Sequence, residues 1–296
     1  MPIPETQLDT WSKKGADAQS RDTYATVKGA LEDRNAPYYP RIYTSLLQGS
    51  YANDTNVFRD SDVDVVMRLD STFYHDAITL PTEQFTAFNS AYPNSDYGLK
   101  EFKKEVADWL THHFGNSVRV GSKAILIPGN GTRRDCDILA CAAYRYYYRY
   151  TGTENSYANG IMFYCRDGSQ IVNFPEQHSA NCTTKHQNTN SWFKPTVRIY
   201  KNMRNYMVDR GMLQDGVAPS YFIEGMLYNA PDENFKGSWE DTFVNTFNFI
   251  NSADRSTFKC ANGIHSLLAD NSHVSWPPGD CSTFLDALRG LWTNWR

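Results

Sequence analysis

No apolar run in this sequence approaches the ~20 residues needed to cross a bilayer. The opening residues, MPIPETQLDTWSKK, lack the apolar core of a secretory signal. No C-x-x-C pair occurs among the six cysteines, Cys136, Cys141, Cys165, Cys182, Cys260 and Cys281. Several of them stand in apolar runs, where a thiol behaves as a small buried hydrophobe. These absences predict a reduced, cytoplasmic protein with neither disulfides nor a membrane span. There is also no internal repeat, no low-complexity tract and no Pro/Gly linker. Positive charge is not in excess: 29 Lys and Arg against 33 Asp and Glu give a net charge of −4. That balance argues against a protein that coats duplex DNA or an anionic membrane, while leaving room for a local basic groove.

What is present is enough for a sizeable core. The 296 residues suffice for two domains of ~150 residues each. A hydrophobic share of 41% and a charged share of 21% exclude a disordered chain and a small disulfide scaffold. Aromatic residues are abundant, with 19 Tyr. Ordinary packing accounts for most of them, and some are available to stack on bases.

Hydrophobic periodicity divides the chain in two. Residues 16–35 predict a helix ending before Pro37, and 41–48 a strand running into Gly49-Ser50. Residues 62–69 predict a β-branched strand with Asp62 and Asp64 on one face, because the strand period is two. A helix is expected over 97–114, then strands near 117–127, 134–147, 160–165 and 170–174. Arg166-Asp167-Gly168-Ser169 reads as the hairpin turn joining the last two. From about 176 the pattern becomes helical: 176–189, 193–210, 219–229, 238–252 and 280–294. Pro277-Pro278 precedes the last of these, with Asp280 or Ser282 as the expected cap. The prediction is an α+β, two-lobed chain, 1–175 and 176–296, with the N-terminal helix able to pack on either lobe. A cleft between two lobes is a usual ligand site.

The informative stretch is Gly49-Ser50, eleven residues, then Asp62-Val63-Asp64. Glycine lets a backbone come close to a phosphate, and a serine hydroxyl with the amides that follow can hold its oxygens. Two carboxylates at i, i+2 can share two Mg²⁺ ions, which suits in-line attack on a phosphoryl group. A third carboxylate is expected from a neighbouring strand. Asp137 and Asp135 share a facing; Asp137 is preferred because it directly precedes the apolar run Ile138-Leu139. A lone D-x-D is more often a solvated strand end. Asp60 to Asp64 also resembles the start of an EF-hand loop, but Val65 replaces the required glycine and Ser71 the bidentate glutamate.

Two further patterns lie in the helical half. Lys194, Arg198, Lys201 and Asn205 recur at steps of 4, 3 and 4 along the helix expected over 193–210. Such a stripe is usually a solvated face; here it can instead offer cations to a triphosphate. His178, Cys182 and His186 fall on one helical face and offer zinc-compatible donors, although three residues in a polar stretch are weak grounds for a metal.

Taken together, Gln48-Gly49-Ser50-Tyr51, Asp62-Val63-Asp64-Val65-Val66 and Asp137-Ile138-Leu139 resemble the polymerase-beta-like nucleotidyltransferases. The resemblance is closer to the bacterial cyclic-oligonucleotide synthases related to animal cyclic GMP-AMP synthase and oligoadenylate synthase. It continues through His178-x-x-Asn181-x-x-x-Lys185, Phe193-Lys194-Pro195-Thr196-Val197-Arg198, Lys201-Asn202-x-Arg204-Asn205 and Pro219-Ser220-Tyr221-Phe222-Ile223-Glu224. These positions span roughly 41 to 229, most of the chain. The Gly-Ser and aspartate set marks only the superfamily; the helical motif is the more specific part.

The resemblance implies a mixed-sheet catalytic lobe and a helical lobe with the active site in the cleft. It implies that Asp62, Asp64 and Asp137 hold two Mg²⁺ (or Mn²⁺) ions, with Asp137 nearest the attacking ribose hydroxyl. Gln48, Gly49 and Ser50 would bind the donor nucleotide, and Lys201 and Ser220 its phosphates. Lys185, Lys194, Arg198 and Asn205 are further candidate phosphate or base contacts. The implied substrates are nucleoside triphosphates such as ATP and GTP. The implied product is a cyclic di- or trinucleotide messenger that switches on an antiphage effector protein. The chain lacks the zinc-ribbon cysteine spacing and basic bias of the DNA-sensing animal relative, so no duplex DNA activator is expected. A terminal transferase or linear oligonucleotide synthase, and a catalytically silent nucleotide-binding module, are the competing readings.

Overall fold

The computed structural model describes residues 2–15, 18–58 and 62–295. Its backbone separates into two compact units, each assembled from more than one segment. One comprises Ala18–Gly49 and Asp62–Pro175; the other comprises Met1–Asp17, Ser50–Ser61 and Glu176–Arg296. The second unit is therefore not a simple C-terminal half, since it draws in the start of the chain and the stretch after Gly49.

The first unit is built on a mixed sheet. Strand β1 (Tyr43–Gln48) lies antiparallel to β2 (Val63–Asp76), and β2 lies parallel to β5 (Cys136–Tyr150). Strand β4 (Ile125–Ile127) and then β3 (Arg119–Val120) continue antiparallel beyond β5. The far half of β5 pairs with β6 (Asn155–Tyr164), which pairs with β7 (Gln170–Asn173). Val63, Val65, Val66, Met67 and Leu69 of β2 are all buried. A strand with paired neighbours on both sides and covered on both faces reads as a near-continuous apolar run, and that is why its outline was visible. Helices α2 (Ala18–Leu31), α4 (Thr82–Ala91) and α5 (Leu99–Phe114) belong to this unit. The α5 helix buries Leu99, Phe102, Val106 and Leu110 at helical spacing.

The strands differ from expectation in instructive ways. The stretch 117–127 is two short strands, closed by a bond from Gly121 N–H to Ala124 O of 2.8 Å. The β2–β5 pair continues past Leu69 across a register shift. There Ala77, Leu80, Phe88, Tyr147 and Tyr150 form a small separate core. The hairpin turn closes with Cys165 N–H on Ser169 O at 2.9 Å and with Gly168 at φ +84°.

The second unit is helical. The chain enters it through α3 (Gly49–Ala52), a single turn. Helix α7 (Phe193–Asp209) packs with α1 (Glu5–Ser12), α8 (Ser220–Tyr228), α9 (Trp239–Ser252) and α10 (Pro278–Thr293). Helix α6 (Pro175–Asn188) precedes it. Val197, Tyr200, Met203 and Met207 of α7 stand in the main core with Phe243 and Leu288. Neither Asp280 nor Ser282 caps α10: its N-cap is Pro277, and Pro278 in the first turn supplies a preset φ. All six cysteines are free and buried. Among the described residues no helix is long and apolar enough to cross a membrane.

Candidate active site

The sheet brings two of the three predicted carboxylates side by side. Asp64 and Asp137 are register partners on the parallel strands β2 and β5. Asp62 immediately precedes β2, two residues before Asp64; it is exposed, whereas Asp64 and Asp137 are half-buried. The rival Asp135 is exposed, and its Oδ1 accepts a hydrogen bond from Gly129 N–H at 2.6 Å, which closes the 129–134 loop. Residues 59–61, including the Asp60 and Ser61 of the rejected EF-hand reading, lie outside the described residues.

Gln48, the last residue of β1, is the register partner of Asp64 on its other side. Gly49 follows with φ +75°, a conformation that side chains rarely adopt. A Cβ there would fall 1.9 Å from Asp64 Oδ2. The absent side chain is thus the space in which the Asp64 carboxylate stands. Ser50 comes next and is half-buried.

This donor set fits a hard divalent cation, which takes carboxylate oxygens in preference to sulfur. Burial first, and the charge of Asp135 second, push the Asp137 carboxyl up from its ordinary value. A bound cation reverses that bias by favouring the ionised form. The neighbouring Cys136 thiol is pushed up to about 12 by burial and by the charges of Asp64 and Asp137, so it offers no thiolate.

In the helical unit the predicted cations are not on a solvated face. Lys194, Arg198, Lys201 and Asn205 are all buried, and Lys201 is fully so. Lys201 Nζ donates to Thr55 O at 3.0 Å. Arg198 donates to the carbonyls of Ser12 and Asp54, and Lys194 Nζ lies 4.0 Å from Asp54 Oδ2. Lys185 donates to Ala230 O and pairs with Asp232 at 2.5 Å. Asn205 Oδ1 accepts from Arg204 Nε at 2.9 Å, and Ser220 Oγ, at the start of α8, accepts from Arg204 Nη1 at 3.3 Å.

The zinc-compatible trio is rearranged. His178 and Cys182 come together with Glu224, their donor atoms within 4.8 Å of one another, while His186 Nδ1 accepts from Lys194 N–H at 3.4 Å. Glu224 is already engaged. Its Oε2 lies 2.6 Å from His178 Nε2, and its Oε1 accepts from Thr55 Oγ1 at 2.5 Å. Burial also pushes the Cys182 thiol well up, which disfavours the thiolate a metal needs. The group is a hydrogen-bonded hub, with the Tyr221 ring stacked 4.8 Å from His178. Sequence reading singled out neither Thr55 nor Glu224 as functional; Glu224 stood only as the last residue of a quoted motif.

Burial would raise the Glu224 carboxyl, but the hydrogen bond and charge of His178, the charge of Lys201 and the Thr55 hydroxyl outweigh it and hold it below its ordinary 4.5. A folded-state pKa below the unfolded one adds stability above the unfolded value, and that stability is lost as pH falls through the folded value. Wild type should therefore lose stability on acidification below about pH 5 more steeply than Glu224→Gln. Urea unfolding across that range checks this; parallel curves for the two proteins would refute it.

Residues 180–293 match the family model of the cGAS/DncV-like nucleotidyltransferase C-terminal helical domain. Over its whole length the chain is 39% identical to a cyclic UMP-AMP synthase of Rhodothermus marinus, covering 99% of that protein. It is 31% identical to the cyclic nucleotide synthase CdnE01 of Staphylococcus haemolyticus, again end to end. The fold superposes on the Rhodothermus marinus CdnE c-UMP-AMP synthase, solved with Apcpp and Upnpp, at a TM-score of 0.89 and 37% identity, covering 99% of this chain and 98% of that one. It also matches the Elizabethkingia meningoseptica CdnE cyclic dinucleotide synthase, solved with GTP and Apcpp, at a TM-score of 0.77 and 29% identity, covering 97% and 98%. The aligned aspartates of the sheet, the glycine turn beside them and this end-to-end similarity agree: the chain belongs to the cGAS/DncV-like nucleotidyltransferases and is a cyclic-nucleotide synthase.

Proposed function

We propose that the enzyme joins two nucleoside triphosphates into a cyclic dinucleotide, with Asp62, Asp64 and Asp137 holding two divalent cations, Mg²⁺ or Mn²⁺. The observation that carries this reading is the register pair Asp64–Asp137, with the Asp64 carboxylate standing against the bare Cα of Gly49. When bound, such ions offset charge on the reacting phosphoryl group and favour ionisation of the attacking hydroxyl. The chain's own residues do the rest. Gly49 lets the backbone approach the triphosphate, the Ser50 hydroxyl donates to a phosphate oxygen, and Ser220 is a second phosphate contact. Asp137 lies nearest the acceptor ribose. The ribose hydroxyl gives up its proton to solvent, its oxygen bonds to the α-phosphorus, the bond from that phosphorus to the oxygen bridging to the β-phosphate breaks, and pyrophosphate leaves. A second such step on the linear intermediate closes the ring and releases a second pyrophosphate.

Cyclic UMP-AMP is the expected product, by similarity to the Rhodothermus marinus synthase. Its role is that of a cytoplasmic messenger for an effector protein in antiphage defence. No duplex DNA activator is invoked, in keeping with the net charge of −4. A linear oligonucleotide synthase would share the chemistry but need a tract of basic residues to track its polymer, and no stretch of the sequence reads as one. The test is incubation with all four nucleoside triphosphates and Mg²⁺ or Mn²⁺, then phosphatase, chromatography and mass spectrometry. A cyclic dinucleotide has no terminal phosphate and survives intact. A ladder of linear species, or a product trimmed to nucleoside ends, would overturn the cyclase reading.

A further inference from the structure

The segment that follows Ser50 is held more tightly than a surface loop. Asn53, Thr55, Asn56 and Val57 are all buried, Thr55 completely. Asp54 turns the chain through the left-handed region, at φ +57°. That turn is fixed from several directions: Arg198 donates to Asp54 O, Lys14 pairs with Asp54 Oδ1, and Lys194 approaches Oδ2. Thr55 is held at three atoms. Its N–H donates to Ser50 O at 2.9 Å, its carbonyl accepts from Lys201 Nζ at 3.0 Å, and its hydroxyl donates to Glu224 at 2.5 Å. Glu224 is in turn oriented by His178.

Among the described residues, bonds from α7 and α8 converge on Thr55, and the Thr55 N–H in turn donates to Ser50 O. Burying Glu224 and Lys201 in an apolar core is costly unless each is paired and hydrogen-bonded. A core of the same volume can be filled with apolar side chains, so stability alone does not call for this arrangement. What it supplies is a fixed position for the Ser50 backbone, and small displacements of a group that grips a reactant are expensive in rate.

We infer that Glu224 and Thr55 are positioning residues for the donor triphosphate, acting on it through Ser50 and not by touching it. His178 completes the set by orienting Glu224. The inference rests on the role proposed above for Ser50.

The test compares Thr55→Val, which removes the hydroxyl at nearly constant volume, with Thr55→Ser, which keeps it. Three quantities are measured for each: KM and kcat for product formation, the calorimetric Kd for a non-hydrolysable nucleoside triphosphate, and Tm. Loss of one buried charge-assisted hydrogen bond predicts a rise of about tenfold in KM and Kd for Thr55→Val. Thr55→Ser should return both to within about twofold of wild type. Glu224→Gln should shift KM and Kd in the same direction as Thr55→Val. Unchanged KM and Kd in a Thr55→Val protein with lowered Tm would show a purely structural bond and overturn the inference. Equal losses in Thr55→Val and Thr55→Ser would overturn it too, since the hydroxyl would then be irrelevant. Absence of cyclic product from wild type is a different result, and it strikes the proposed reaction instead.

Discussion

Asp64→Asn and Asp137→Asn should each abolish cyclic product while leaving the fold intact. The two carboxylates are adjacent in register, and neither lies in the apolar core, so an amide of the same shape leaves the sheet undisturbed. On the proposed reading, what the amide removes is the negative charge that would retain a cation. The charge stabilisation such a cation gives a phosphoryl transition state is worth several kcal/mol, which corresponds to a rate loss on the order of a thousandfold. Asp135→Asn is the control. An asparagine Oδ1 can still accept from Gly129 N–H, so the loop stays closed and turnover should remain within a few-fold of wild type. Rates from product quantification, with thermal melts to show that each variant is folded, decide the matter. Retained turnover in Asp137→Asn and lost turnover in Asp135→Asn would reassign the third ligand.

Gly49→Ala should cost activity by two separable routes. The first is conformational: an L side chain at φ +75° carries a left-handed penalty of about 1–2 kcal/mol. The second is collision, because the new Cβ would stand 1.9 Å from Asp64 Oδ2. Backbone or carboxylate must give way, and a misplacement of ~1 Å near reacting groups can cost about a hundredfold in rate. Gly168→Ala separates the two. Gly168 has φ +84° in the hairpin turn, and nothing lies within 4 Å of a Cβ placed there. It should lower Tm with little effect on kcat/KM, whereas Gly49→Ala lowers both. A Gly49→Ala enzyme within twofold of the wild-type rate would mean that the glycine does not constrain Asp64.

Much of the catalytic sheet was legible because its signals are local. The β-branched run after Asp62 marked the strand that carries Asp64, and the apolar run after Asp137 marked a second central strand. Helices α5 to α10 showed their periodicity for the same reason. Helices α1 and α4 were missed because they are short and bury little: Leu8 and Ser12 in one, Phe88 in the other. With so few apolar positions there is no stripe to detect, and packing stabilises them more than their own pattern does.

The basic stripe shows where local reading stops. Lys194, Arg198 and Lys201 were picked out by spacing, but spacing cannot distinguish a cation that faces water from one buried against a distant carbonyl. Arg198 meets Asp54 across 144 positions, Lys201 meets Thr55 across 146, and Glu224 meets Thr55 across 169. None of these pairs leaves a periodic trace. By itself, the sequence determined the strand that carries Asp64, the strand that carries Asp137, the glycine turn before them and the helical character of the second half, since each depends on neighbours a few residues away. Only the tertiary structure decided that the residues after Gly49 join the helical unit and that Lys201 holds Thr55. It also replaced His186 with Glu224 beside His178, because a buried charge takes whichever partner the folded chain brings within hydrogen-bond reach.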